Sequence, residues 1–270
     1  MSEPSAPKPA ATILLIRDGE RGLEVYLIRR VRQMAFAGGM TAYPGGGVDP
    51  RDLDADFGWV GPDPGYWAGA FSTDERRARS LVAAAVRETF EESGILLATE
   101  ADAPVVDTDN DEWEAERQAL LDRSHSLAEL LQKRELSVRA DLIRPWAHWI
   151  TPEAEPKRYD TSFFLVKLPD GVHPRAISTE HDLAEWVPVR QALADGESGA
   201  RAMLPPTIVT LRDLAQHDTA DEAMAAAPPR RLEPILPELV DVDGVLQVRL
   251  PDGTVIKPSV RIGPGRSVAD

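Results

Sequence analysis

Apolar positions along the chain recur with two different periods. ATILLIRD (11–18) and LEVYLIRR (23–30) are short runs rich in Ile, Leu and Val on either side of a turn-like GERG, and they predict a strand pair. RPWAHWITP (144–152), KRYDTSFFLVKLP (157–169) and AEWVPV (184–189) predict further strands. Between them, VRQMAFAGGMTAYPGGGVDP reads as a shaped loop, and residues 51–71 place Trp59, Tyr66, Trp67 and Phe71 in a packed irregular insertion. Helical spacing begins after Ser72. Ser72 and Glu75 form an S-x-x-E capping box, predicting a helix from about Thr73 to Ser93 with Gly94 as its stop. Residues 98–111 read as an acidic loop. EWEAERQALLDRSHSLAELLQKREL (112–136) predicts two helices broken near Arg123–Ser126, and VRQALADG and PPTIVTLRDLAQH (205–217) predict two more. After the linker AAAPPRR, VDVDGVLQVRLPDGTV predicts a terminal hairpin with a D-G turn. Strands with helices between and after them give an α/β or α+β sandwich.

Composition narrows the chemistry. The 270 residues contain no cysteine, which excludes disulfides, zinc–thiolate sites and thiol nucleophiles. The formal charge of −15 repels nucleic acid, so an anionic substrate needs metal ions or a local basic cluster to offset that field. No apolar run approaches a membrane span. Residues 1–9 read as a disordered lead-in without a signal peptide, and the final SVAD is no peroxisomal signal. The expected home is cytoplasmic.

The sharpest feature is AAAVRETFEESGILL (83–97). On a helix, Glu88, Glu91 and Glu92 share an arc of about 100°. Carboxylates so close raise one another's pKa, and a divalent cation reverses that problem. Oxygen ligands at i, i+3 and i+4 suit Mg²⁺ or Mn²⁺, with a substrate phosphate completing the shell. Arg87 is placed to hold one of the carboxylates. A solvated acidic face is the competing reading of the same three residues.

The string RETFEESGI (87–95), preceded by YPGG (43–46), resembles the Nudix box, although Thr89 stands where an apolar residue is usual. A long insertion, about 47–72, separates the glycines from the box helix, and Arg79 occupies the place of an earlier glutamate. LIRRVRQMAFAGGMTAYPGGGVDPRD (27–52), RPWAHWITPEAEPKRYDTSFFLV and MLPPTIVTLRDLA resemble the coenzyme A diphosphatase branch of that family. The branch's arginine position falls at Ala35, with Arg29, Arg30 and Arg32 nearby to serve instead.

The resemblance implies a Nudix α/β/α sandwich with a mixed sheet over residues 10–217 and a helical insertion at about 112–136; residues 218–270, a linker and hairpin extension outside it, are expected as a dimer arm. It implies metal-dependent diphosphate hydrolysis with Mg²⁺ or Mn²⁺ held by Glu88, Glu91, Glu92 and the Gly46 carbonyl, and Arg87 in support. Glu180, six before Trp186, or Glu91 would be the base, with His181, Asp182 and Glu185 as rivals. Arg29, Arg30, Arg32 and Gly45 would bind the substrate. Coenzyme A or an acyl-coenzyme A is the first substrate expectation. ADP-ribose, NADH or a nucleotide sugar is the second, and a non-catalytic nucleotide sensor is the alternative of another class.

Overall fold

The computed structural model describes residues 5–31, 37–53, 56–101, 103–175, 181–227, 231–242 and 245–256. β1 (Lys8–Gly19) and β2 (Gly22–Arg30) form the expected antiparallel pair, closing where Gly19 faces Gly22. Gly22 has φ +94°, a left-handed turn conformation that glycine adopts without steric penalty. β1 starts at Lys8, inside the expected lead-in, because it runs parallel to a later strand from the pair Lys8–Tyr159 onward. Short strands β3 (Thr41–Ala42) and β4 (Gly45–Gly47) lie against β2 and β1 respectively.

The expected irregular segment folds into α1 (Pro50–Leu53), β5 (Gly58–Val60) and α2 (Gly65–Phe71). Next comes α3 (Glu75–Ser93), which ends at Gly94 with φ +75° as the sequence predicts. Its start differs from the prediction. Asp74 is the N-cap and accepts a hydrogen bond from the Arg77 backbone N–H, whereas Ser72 ends α2 in a left-handed conformation. Two competing cap sequences overlap here, and the tight α2–α3 turn decides between them.

β6 (Ala98–Glu100) interrupts the expected acidic loop. The predicted helix pair follows as α4 (Asp111–Leu121) and α5 (Leu127–Lys133), the latter opened by a Ser126–Glu129 capping box. β7 (Leu136–Arg139) joins β5 and β6 in a small separate sheet. β8 (Arg144–Ile150), β9 (Tyr159–Lys167) and β10 (His181–Pro188) complete the main sheet in the order β10–β2–β1–β9–β8, with β1 and β9 parallel and the other pairs antiparallel.

Helices cover both faces of this mixed sheet. Ala11, Ile13 and Leu15 point toward α3, while Leu14 and Ile16 point toward α6 (Val189–Ser198), α7 (Pro205–Leu214) and α8 (Ala220–Ala226). Covering on both sides explains why β1 reads as a continuous apolar run rather than an alternating one. Ala83, Ala84 and Ala85 are fully buried on α3, and their small side chains let it lie close to the sheet.

Part of the expected C-terminal linker is α8, opened by a Thr219–Glu222 capping box that the sequence reading passed over. β11 (Glu238–Val242), β12 (Val245–Arg249) and β13 (Val255–Ile256) extend the predicted hairpin to three strands, and Val248, Leu250 and Ile256 enter the core beneath α7 and α8. No helix among the described residues is long and apolar enough to cross a membrane.

Asp74→Ala should cost about 1 kcal/mol in urea denaturation, the usual value of an N-cap, whereas Ser72→Ala should cost only a small fraction of that. Equal losses, or a larger loss at Ser72, would contradict the assigned start of α3.

Candidate active site

Two features bring the site together: the glycine strand β4 and the last two turns of α3. Gly46 has no side chain because none fits there. A Cβ on it would lie 2.5 Å from Glu88 Oε1 and 2.6 Å from Glu88 Cδ. Beside it, the Gly45 N–H donates to Glu92 Oε2 at 2.7 Å, and Arg30 Nη1 lies 3.8 Å from Glu92 Oε1. His181, at the start of β10, bonds the Glu92 carbonyl through Nε2 at 2.9 Å, while Arg117 of α4 donates to the Glu91 carbonyl at 2.6 Å. The C-terminal turn of α3 is therefore held by groups from four other elements.

Arg87 is the hub. Its Nη1 donates to Glu88 Oε1 at 2.8 Å and to Glu91 Oε2 at 3.2 Å, and its Nη2 donates to the Gly47 carbonyl at 2.8 Å and to Asp52 Oδ2 at 3.1 Å. Burial opposes the charge on this guanidinium, but Glu88, Asp52 and Glu91 together hold its pKa well above the usual arginine range. Among the described residues no three His, Asp or Glu side chains gather around one point. Arg87 draws Glu88 and Glu91 to itself, and Glu92 turns to Gly45 and Arg30.

Asp49 and Asp52 were not singled out from the sequence. In D-P-R-D the Asp49 side chain accepts from the Arg51 backbone N–H at 2.9 Å, and Asp52 accepts from the Asp49 N–H at 2.8 Å, so the pair caps α1. An Asp before a helix-starting Pro, with a second acid three residues along, is the signal that marks them. The Arg51 hydrogen bond holds the Asp49 pKa well below the usual carboxylate range, and Arg123 also pairs with Asp49. Burial raises the Asp52 pKa despite Arg87.

Glu91 carries the most useful shift. Burial first, then the charge of Glu88, push its carboxyl up to about 7 against the opposing pull of Arg87. A buried carboxylate starved of positive charge fits a divalent cation. Glu88, Glu91, Glu92, Arg30, Arg51 and Arg123 line a shared cavity of about 400 Å³.

Other expected site residues lie elsewhere. Arg29 points to the opposite side of β2 from Arg30 and pairs with Asp182 at 2.7 Å. Glu185 pairs with Arg201. Arg32 and Glu180 lie outside the described residues. Arg79, in the place of the earlier box glutamate, faces the 47–72 segment. Its guanidinium lies 4.4 Å from the Phe57 ring centroid and 4.9 Å from that of Trp59, and Nη2 donates to the Phe57 carbonyl. Trp59 and Trp67 pack edge to face at 5.5 Å in the same cluster and do not line the cavity.

The family model of the NUDT19 Nudix domain matches residues 73–214. The chain is 23% identical over 236 residues to the acyl-coenzyme A diphosphatase NUDT19 of Xenopus laevis, covering 74% of this chain and 61% of that protein. It is 26% identical to the putative nudix hydrolase 7 of Caenorhabditis elegans, covering 78% and 62%. It thus spans roughly three-fifths of the length of these curated relatives. A NUDIX hydrolase crystal structure from Alicyclobacillus acidocaldarius is 31% identical with a TM-score of 0.70, covering 85% of this chain and 99% of that one.

Arg87→Met should cost about 3–5 kcal/mol in chemical denaturation, because three buried carboxylates lose their partner. Arg87→Lys should not restore the loss, since one ammonium cannot reproduce the forked contacts. A loss under about 1 kcal/mol for Arg87→Met would remove the hub.

The shift at Glu91 gives a pH test with a definite sign. Between its ordinary value of 4.5 and about 7 the folded protein binds more protons than the unfolded chain. Its stabilising contribution is therefore whole below about 4.5 and is lost as pH rises through about 7. In EDTA, urea denaturation between those values should show stability falling as pH rises, and Glu91→Gln should flatten that slope. An unchanged slope in Glu91→Gln would place the titration elsewhere.

Proposed function

The chain belongs to the NUDT19 Nudix domain family of Nudix hydrolases, and on that premise we propose that it hydrolyses the diphosphate of coenzyme A or an acyl-coenzyme A, giving 3′,5′-ADP and (acyl-)4′-phosphopantetheine. The observation that carries the reading is the single cavity where three α3 glutamates meet Arg30, Arg51 and Arg123, in a family whose relatives include acyl-coenzyme A diphosphatases. We assign the catalytic domain to residues 10–217, with 218–270 as its extension.

Glu88, Glu91 and Glu92 are the residues that would hold Mg²⁺ or Mn²⁺, with Gly46 allowing the close backbone approach. A bound cation would neutralise the diphosphate and lower the pKa of an attacking water. Arg87 orients Glu88 and Glu91 from behind, and the Gly45 N–H orients Glu92. Arg30 is supported as a phosphate ligand by its buried Nε, which has no hydrogen-bond partner among the described residues. Water attacks one phosphorus, the bridging P–O bond breaks, and the bridging oxygen leaves on the other phosphate. The water proton needs an acceptor. Glu91, which lines the cavity, is one candidate acceptor. Glu180, outside the described residues, is the second candidate on the strength of its spacing from Trp186. Arg29, paired with Asp182, lines a different cavity from Arg30's.

With Mg²⁺ or Mn²⁺, coenzyme A should release 3′,5′-ADP, resolved by chromatography, faster than dephospho-coenzyme A, ADP-ribose or NADH is cleaved. Glu92→Gln should lower kcat at least ~100-fold, the rate equivalent of a few kcal/mol of charge stabilisation. Faster cleavage of another diphosphate would discard the substrate. No cleavage of any of them, with nucleotide still bound, would favour a sensor.

A further inference from the structure

A second cavity lies on the sheet face opposite α3. It holds about 240 Å³ between Gly45–Gly47, Tyr43 and Phe163, and Arg30 lines both it and the glutamate cavity. Arg30 and Gly45–Gly47 are thus common to the two cavities. A third cavity of about 130 Å³ adjoins this one: Thr161, Phe163, Leu204 and Pro206 line both.

The third cavity changes character. Its walls are Trp149, Phe163, Leu204, Pro206, Leu239 and Val248, and its main carboxylate is Glu155. Leu239 and Val248 face each other across the β11–β12 pair, so the C-terminal hairpin supplies one wall. That wall is tied down just before β11. Ile235 bridges to Trp149, with its N–H on the His148 carbonyl and its own carbonyl accepting from the Ile150 N–H. Polarity thus falls across the three cavities, from carboxylates and arginines, through the glycine strand, to an apolar end.

We propose that this hairpin-walled pocket receives the acyl end of the substrate, and that Leu239 and Val248 set the chain length accepted. The inference rests on the coenzyme A reading above and deepens it. An apolar cavity of ~150 Å³ takes a benzene-sized group, so the pocket suits short to medium chains. A chain ending in a carboxylate meets apolar walls and Glu155, and gains nothing there.

The test is calorimetric binding in EDTA, where no turnover intervenes, using coenzyme A, hexanoyl-coenzyme A, succinyl-coenzyme A and hexanoyl-pantetheine. Hexanoyl-coenzyme A should bind at least ~10-fold tighter than coenzyme A, in line with the discrimination that buried methylenes give. Succinyl-coenzyme A should match coenzyme A. Leu239→Trp should abolish the hexanoyl advantage while coenzyme A binding stays unchanged. Val248→Ala, which empties space instead of filling it, should move the preference to octanoyl-coenzyme A, and thermal melts check that both variants fold. Equal affinity for coenzyme A and its hexanoyl ester, or an advantage that survives Leu239→Trp, would overturn the pocket. If coenzyme A fails to bind but hexanoyl-pantetheine binds and is blocked by Leu239→Trp, the pocket stands and the coenzyme A reading falls. Binding of neither would overturn both.

Discussion

The site depends on one buried guanidinium. Arg87 bonds Glu88 and Glu91 on its own helix, Asp52 on α1 and the Gly47 carbonyl on β4, so it fixes α3 to the neighbouring β4 and α1, 35 to 40 residues earlier in the chain. Buried charges are tolerated only when paired and hydrogen-bonded, and Arg87 is the positive partner for all three of these carboxylates. The cost of keeping them together also prepares the site. Glu91 remains short of positive charge even with Arg87 beside it, and that shortfall is what a cation or a proton would relieve.

The helix bearing these groups has two working faces. One carries Glu88, Glu91 and Glu92 toward the glycine strand. Another carries Arg79 into the aromatic cluster of Phe57 and Trp59, so the position that the family motif gives to a glutamate serves here to anchor the 47–72 segment. Arg87 and Arg79 thus fasten the first part of that segment to one helix at two points, the first through Asp52 and the second through Phe57. The glycines stay beside the glutamates because the Gly47–Asp52 stretch is tied to α3 through Arg87.

Charge and polarity are graded across the molecule. The net charge of −15 opposes an anionic substrate at long range, yet the glutamate cavity concentrates Arg30, Arg51 and Arg123 at its rim. Away from that rim the cavity beside the C-terminal hairpin is lined mainly by apolar residues, and the hairpin's inner residues also belong to the main core. The extension is part of the folded body, and its Val248 serves both the core and the pocket wall.

Local features were legible in the sequence. The doubly buried run of β1, the stop of α3 at Gly94, the break between α4 and α5, and the shared arc of the three glutamates all follow from periodicity and backbone preference within a few residues. Where two local signals competed, sequence did not decide. Ser72 and Asp74 both cap acceptably, and only the α2–α3 turn selects Asp74. Long-range pairing was likewise out of reach. Adjacent Arg29 and Arg30 look equivalent in LIRR, but strand pleating sends one to Asp182 and the other to Glu92. Asp52 becomes part of the site only because α1 packs on α3, and the hairpin becomes a pocket wall only because Ile235 docks beside Trp149. The sequence by itself determined which residues could do the chemistry, since that depends on residue type and local spacing. The tertiary structure alone decided which of them meet, since that depends on contacts between segments that the chain keeps far apart.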